Sequence, residues 1–450
     1  MATILETCRV PAPPGAAADL SVPLTFLDIH WLHFHPIRRI LFYDHPCSKP
    51  YFLETVAPKL RGSLSFTLRH YLPVAGDLIF PLNSEKKPEI RYVAGDSAVS
   101  LTIAESGSDF GDLVGNHARD ADQFYEFVPQ IDPVTDESEY QKVPVMALKV
   151  TLFPDRGICV GFANLHCLGD ASSLVGFVQA WASISKLGGD DEFLTKQGES
   201  LPLVDRSIIK DPLGIDSIFW KVKREVPLKS SCFPLPTNRV RATYILRQAD
   251  IEKLKDLVLA KKPGLVQVSS FVITAAYVWT CFVKSGEQVD DDELEIFLFA
   301  ADIRARIDPP VPANYFGNCL SYGEAKIEHK QLVGEEGFVM AAEAIANQIK
   351  NRVNKKEEVL KGVENWQSEI KKMTGITELA VSGSPKFDLS NADFGWGRAR
   401  KLEVVSIDGE KHSMSLCKSR DSEGGLEVGM SLPKARMEAF AAIFDDGLRY

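Results

Sequence analysis

The sequence predicts an α/β (α+β) chain built as two large domains, and three observations carry that prediction. At 450 residues the chain exceeds the usual span of one domain, roughly 50–200 residues. Both halves mix strand-like alternation with helix-like periodicity. Between them, from Lys186 to about Gly214, lies a stretch holding Gly188, Gly189, Asp190, Asp191, Gly198, Pro202 and Pro212 with no sustained period. That stretch, residues 186–214, reads as the crossover, giving an N-terminal domain over 1–205 and a C-terminal one over 206–450.

The elements follow in chain order. Met1 to Leu20 has no basic segment followed by an apolar run, so no signal peptide is expected. His30, His33 and His35 read as one face of a strand, a polar or pocket-lining wall. No further ligand stands at metal spacing, so no metal is expected there. Gly157 to Asn164 reads as a strand, followed by a helix bearing Leu174, Phe177, Val178 and Trp181. Ala242 to Arg247 alternates as a strand, and Asp250 is expected to cap a helix with Ile251, Leu254, Leu257 and Val258 at helical period. Phe271 to Val283 falls short of the roughly 20 residues that span a bilayer and reads as a buried helix. Asp308 to Asn318, with Pro309, Pro310 and Pro312, is an irregular segment of the kind that lies on a surface or lines a site. Phe338, Ala342, Ile345 and Ile349 mark an amphipathic helix, and Val359, Val363, Trp366 and Ile370 a further one. Gly424 and Gly425 turn the chain into a strand from Leu426 to Met430. Ser431 and Pro433 then open a last helix carrying Met437, Phe440 and Phe444.

Composition narrows the function. With 45% hydrophobic and 25% charged residues, this is an ordinary globular chain, with no membrane partner expected. Its 61 acidic against 51 basic residues leave a net charge of −10, which argues against nucleic acid, whose binding depends on clustered cations. A single phosphorylated small molecule remains possible, since a few local basic groups hold one. The eight cysteines form no CxxC pair and no dense framework, which fits a reducing cytoplasmic compartment. Cys167 reads as a small buried side chain rather than a catalytic thiol.

The strongest local feature is Asn164-Leu165-His166-Cys167-Leu168-Gly169-Asp170, where the strand ends and a helix begins. It sets an imidazole on a rigid element, with an ordinary pKa near 6.5 suited to proton transfer. Alone, a His-x-x-x-Asp pattern is weak, because a strand-end histidine is often satisfied by a backbone carbonyl. Asp170 reads either as a helix cap or as a partner for a cation. The chain has no G-x-S-x-G elbow, H-E-x-x-H, G-x-G-x-x-G or Walker loop, which removes support from hydrolase, zincin and nucleotide readings. Asp393-Phe394-Gly395-Trp396-Gly397 reads as a structural turn.

His166 to Asp170 in mid-chain together with Asp393 to Gly397 near the C-terminus resembles the paired signature of the BAHD acyltransferases. Asp302 to Pro310, Asn314-Tyr315-Phe316-Gly317-Asn318-Cys319, Pro23 to Asp28, Leu72 to Gly76 and Arg119 to Phe124 resemble its anthocyanin and phenolic-glucoside malonyltransferase subgroup. The resemblance implies two similar-sized chloramphenicol-acetyltransferase-like domains with a channel between them. It implies His166 as general base, Asp170 supporting it structurally through Arg304, and Ser382 as an oxyanion donor. Asp393, Gly395, Trp396 and Gly397 would shape the channel without touching reactants. An acyl-CoA, malonyl-CoA foremost, is implied as co-substrate with no permanently bound cofactor, and a phenolic glycoside as acceptor of a monomeric enzyme. The residues that bind CoA are not implied. Hydroxycinnamoyl-CoA as donor, amine N-acylation and a non-catalytic scaffolding homologue are the alternatives. The sequence departs from the family at Ala171, where glycine is usual, which questions the turn after Asp170.

Overall fold

Three sheets organise the described residues, which are 2–189, 201–287, 289–372, 378–409 and 412–449 of a computed structural model. Segment 190–200 of the expected crossover lies outside them. The first sheet runs in the order Thr3–Pro11, Ala98–Glu105, Met146–Phe153, Gly157–Asn164, Ile37–Tyr43, Lys401–Val404. Gly157–Asn164 is buried along its whole length, as its near-continuous apolar run requires. Helix Ala171–Leu187 packs against Ala57–His70 on this sheet, burying Leu174, Phe177, Val178 and Trp181.

The second sheet runs Leu320–Glu328, Leu294–Asp302, Glu378–Ser382, His412–Lys418, Leu426–Leu432, Val240–Leu246, Arg119–Asp120. Helices Ser270–Lys284, Gly337–Gln348 and Lys434–Asp446 cover it and enclose a second apolar core. A smaller sheet is built from Leu20–Pro23, Glu89–Tyr92, Asp77–Pro81, Tyr140–Pro144 and Thr135–Asp136.

The two large sheets exchange edge strands. Lys401–Val404 pairs with Ile37–Tyr43 of the first sheet, and Arg119–Asp120 pairs with Val240–Leu246 of the second. A buried ion cluster fastens the exchange. Glu403 lies 2.9 Å from Arg119 and 3.2 Å from Arg241, and Arg241 lies 2.7 Å from Asp408. Each charge there has a counter-charge in hydrogen-bonding range, the condition under which burial of ions is tolerated.

Three expectations are corrected. His30, His33 and His35 lie on no strand: Phe26–Ile29 is a short helix with a Thr25/Asp28 capping box, and turns follow it. The step from His30 to His33 spans three residues, which a strand would send to opposite faces. Asp250 is not the cap of its helix; Arg247 is, and the Asp250 carboxylate accepts from the Arg247 N–H at 2.9 Å. Val359 to Ile370 is not one helix. Turns reach Gly362, a 3₁₀ turn covers Val363–Asn365, and α-helix begins only at Trp366. The left-handed backbone of Gly362, φ 73°, breaks the run. Residues Asp308 to Asn318 are irregular, but Val311, Tyr315, Phe316 and Asn318 are buried, so the segment is an interior loop.

Candidate active site

His166 opens a single 3₁₀ turn, His166–Leu168, at the end of strand Gly157–Asn164. Asp170 then caps helix Ala171–Leu187 by accepting from the Ser173 N–H at 3.2 Å. Ala171 occupies the first helical position, which alanine adopts without strain, so the departure from glycine leaves the turn intact.

The imidazole is held between aromatic faces. Trp31 stacks on it with ring centres 3.9 Å apart and planes 9° from parallel, and Phe34 meets it edge-on at 5.4 Å. Burial pushes the pKa of His166 down to about 4, and the charges of Arg39 and His35 act in the same direction. The ring is therefore neutral at pH 7. Its Nδ1 is sealed within protein near its own backbone carbonyl, which favours the proton there, yet makes no hydrogen bond of regular geometry. Cys167, next in sequence, is buried with its thiol held well above its ordinary pKa by burial and by Asp28, so it is not a thiolate at neutral pH.

Two buried ion pairs fix the backbone on either side of this histidine. In the first, Arg304 Nη1 lies 2.8 Å from Asp170 Oδ2 and Nη2 lies 3.0 Å from Oδ1, a bidentate fork. Against the cost of burial, the Asp170 carboxylate holds the Arg304 guanidinium above its ordinary pKa. The same guanidinium donates to the carbonyls of Tyr315 (3.1 Å) and Gly317 (3.0 Å), while Asp170 Oδ2 accepts from the Cys319 N–H (3.0 Å). In the second pair, Arg206 Nε donates to Asp28 Oδ2 at 3.0 Å and Nη1 donates to the Phe316 carbonyl. Asp28 Oδ1 accepts from both Asn318 N (2.9 Å) and Nδ2 (3.0 Å), and Asn318 Nδ2 also donates to the carbonyl of His166 at 2.9 Å.

Segment 315–319 is thus laced to both pairs, and glycine at 317 is a steric requirement. A Cβ there would stand 2.6 Å from the Arg206 guanidinium carbon. Sequence reading missed Asp28, Arg206 and Asn318 as members of this network. Their signal was faint: one acidic residue in Pro23 to Asp28 and one arginine in the crossover, joined only by the fold.

Ser382 ends strand Glu378–Ser382 of the second sheet, and Gly383 follows with φ 103°. The structure does not hydrogen-bond Ser382 to His166. It sets Ser382, Gly383 and Ser384 across a cavity of about 30 Å³ from Ala171, Val175 and Arg39. The cavity thus lies between the two sheets, beside the helix that His166 precedes.

Asp393 stands apart from these groups. Its Oδ1 accepts from the N–H groups of Gly395 and Gly397, both at 2.8 Å, and Oδ2 pairs with Lys186 Nζ at 2.7 Å. Gly395 (φ 97°) and Gly397 (φ 83°) adopt left-handed angles that other residues avoid. Trp396 stacks on His45 at 5.2 Å, and Phe394 meets Trp181 edge-on at 4.9 Å. This turn ties the end of helix Ala171–Leu187 to strand Ile37–Tyr43, whose Tyr43 hydroxyl donates to the Ala392 carbonyl at 2.7 Å.

His30 and His33 are tied into the surrounding fold. His33 Nε2 bonds the Lys223 carbonyl at 2.9 Å, and His30 packs edge-on against Trp31 and Trp366. No group of three or more His, Cys, Asp or Glu side chains able to hold a metal occurs among the described residues.

From residue 2 to 446 the chain matches the Transferase family, and it belongs to that family, the BAHD acyl-CoA-dependent acyltransferases. It is 57% identical to malonyl-coenzyme:anthocyanin 5-O-glucoside-6'''-O-malonyltransferase of Salvia splendens, over 98% of this chain and 94% of that one. It is 47% identical to phenolic glucoside malonyltransferase 1 of Nicotiana tabacum, over the full length of both. Among solved structures, vinorine synthase superposes with a TM-score of 0.68 at 18% identity, covering 98% of this chain and 96% of that one. F. graminearum TRI101 complexed with ethyl coenzyme A gives 0.67 at 14% identity, covering 94% and 97%. The fold is therefore the two-domain, chloramphenicol-acetyltransferase-like acyltransferase fold.

Proposed function

We propose that this enzyme transfers the malonyl group of malonyl-CoA to a sugar hydroxyl of an anthocyanin or other phenolic glucoside, with His166 as general base. The observation that carries the proposal is a neutral imidazole fixed at the meeting of the two sheets, in a chain most similar, among the relatives above, to glucoside malonyltransferases. With Nδ1 sealed in protein, Nε2 is the nitrogen that meets the acceptor. It takes the hydroxyl proton as the oxygen attacks the thioester carbonyl, because an un-ionised sugar hydroxyl is a poor nucleophile at neutral pH. The new C–O bond leaves a tetrahedral oxyanion, and the hydroxyl of Ser382 is our candidate donor to it. As the C–S bond breaks, the departing CoA sulfur takes the proton back from His166, leaving a malonyl ester and free CoA. No residue is acylated.

Asp170 and Arg304 act on this chemistry by holding the His166 turn, and the Asp393 turn by holding the helix behind it. We also place the enzyme in the cytoplasm as a single chain. All eight cysteines are free, and no helix among the described residues is long and apolar enough to cross a membrane.

The test is mass-spectrometric product analysis of purified protein with a flavonoid glucoside pool and malonyl-, coumaroyl- or acetyl-CoA. A malonylated glucoside as the dominant product is expected. Coumaroylated product alone would overturn the donor, and no transfer from any donor would favour a scaffolding homologue.

A further inference from the structure

The five buried arginines among the described residues are all partnered, and a sixth, partly accessible one stands near the reacting histidine. Arg38 donates to Ser231, Arg119 pairs with Glu403, Arg206 with Asp28, Arg241 with Asp408 and Arg304 with Asp170. Arg39 has no hydrogen bond, ion pair or ring contact from its guanidinium among the described residues. Burial alone pushes its pKa down, to about 10, and no carboxylate stands close enough to oppose the shift. A partly accessible guanidinium with no carboxylate in reach is free to meet an anion that comes and goes.

The position of Arg39 says which anion. It stands in strand Ile37–Tyr43 opposite Phe162 on one side and Val404 on the other. Phe162 lies four residues before His166 in the neighbouring strand, and the charge of Arg39 reaches His166. The side chain is densely surrounded yet keeps partial accessibility, and what it lines is the cavity shared with Ala171, Val175, Ser382, Gly383 and Ser384. At about 30 Å³ that cavity admits roughly two water-sized groups. A carboxylate fits that space. In a malonyl thioester the free carboxylate is one methylene from the carbonyl carbon under attack. A guanidinium that selects malonyl must therefore stand close enough to act on the reacting centre, and the charge of Arg39 is felt at His166.

We propose that Arg39 is the donor-selecting residue of this enzyme: its guanidinium receives the free carboxylate of the malonyl group in the cavity between Ala171 and Ser382. The inference rests on the malonyl-transfer reading above and deepens it. Arginine suits the role, because its planar fork matches a carboxylate with two parallel N–H bonds whereas lysine offers a point charge. The same cavity is lined both by Ser382, which carries a hydroxyl, and by Arg39, which carries a fork.

The experiment compares wild type, Arg39→Gln and Arg39→Lys with malonyl-CoA and acetyl-CoA, which share the thioester and differ in the carboxylate. With Arg39→Gln the malonyl-to-acetyl ratio of kcat/KM should fall by roughly 100-fold, chiefly through the KM for malonyl-CoA, with Arg39→Lys between. Calorimetric binding of the two donors should show the same loss of preference without turnover. Equal losses for both donors, or an unchanged ratio, would overturn the role of Arg39 while leaving malonyl transfer standing. Wild type that transfers acetyl but no malonyl group would instead remove the underlying reading, and the proposal with it. Arg39 has no partner to strand, so Arg39→Gln should fold. If it does not, the ratio in Arg39→Lys, with the charge kept and the fork lost, decides the question alone.

Discussion

Behind His166, the guanidiniums of Arg206 and Arg304 each meet a buried carboxylate, whereas Arg39, one strand away and facing the cavity beside Ser382, meets none. The first two are braced further by backbone carbonyls of segment 315–319. The contrast separates two uses of charge. Where the charge builds the site, every formal charge is answered within the fold, so the loop carrying His166 is rigid before any substrate arrives. Where the charge meets a ligand, the fold supplies one half of the pair and leaves the other to the donor.

The largest effect should come from breaking the Asp170–Arg304 fork. Arg304→Met leaves Asp170 buried without its counter-ion, and urea unfolding should show a loss of roughly 3–5 kcal/mol. Activity should fall with it through kcat, because the His166 turn loses its anchor. If the variant unfolds at the wild-type urea midpoint, the fork is not part of the frame. Asp28→Asn should cost less, about 1–3 kcal/mol, since an amide still accepts from Asn318 while Arg206 loses its charge partner. Here the informative readout is kcat against KM: a fall in kcat at steady donor KM marks positioning of His166 through Asn318.

The smallest effect is in pH. The value for His166 inside the fold is about 4, below its ordinary 6.5, so the neutral base persists well into acid. Log kcat/KM should stay level from about pH 8 to 5.5 and fall only below about 5. An acid limb centred near 6.5 would mean an imidazole exposed to solvent. For stability the sign follows from the same shift. The unfolded chain takes the proton first, so the contribution of His166 is present above 6.5 and is lost as the pH falls toward 4. His30, pushed down to about 3 chiefly by burial, adds a loss of the same sign.

Much of the fold was legible because its signals are local. Gly157–Asn164, helix Ala171–Leu187, helix Ser270–Lys284 and the closing strand and helix all follow from short-range apolar period and caps. What stayed hidden depends on long-range pairing. A four-residue strand at Lys401–Val404 has no period to detect, and its partner Ile37–Tyr43 lies more than 350 residues earlier. The histidines at 30, 33 and 35 were misread because spacing was weighed above the Thr25/Asp28 capping box that starts a helix there. In the site, His166, Asp170 and Arg304 stood in motifs, but Arg39 did not. Its only signal was a charge inside the apolar run Ile37 to Tyr43, and polar residues in a buried strand are where sequence reading should look for ligands.

The most direct test of the account is the rate of malonyl transfer to an anthocyanin 5-O-glucoside at pH 7 by wild type and His166→Ala, with malonyl-CoA binding and thermal unfolding followed in parallel. The account predicts that the variant binds donor, unfolds near the wild-type temperature and transfers malonyl roughly 10²–10⁴-fold more slowly. A folded, donor-binding His166→Ala enzyme that works within about threefold of the wild-type rate would contradict His166 as the base.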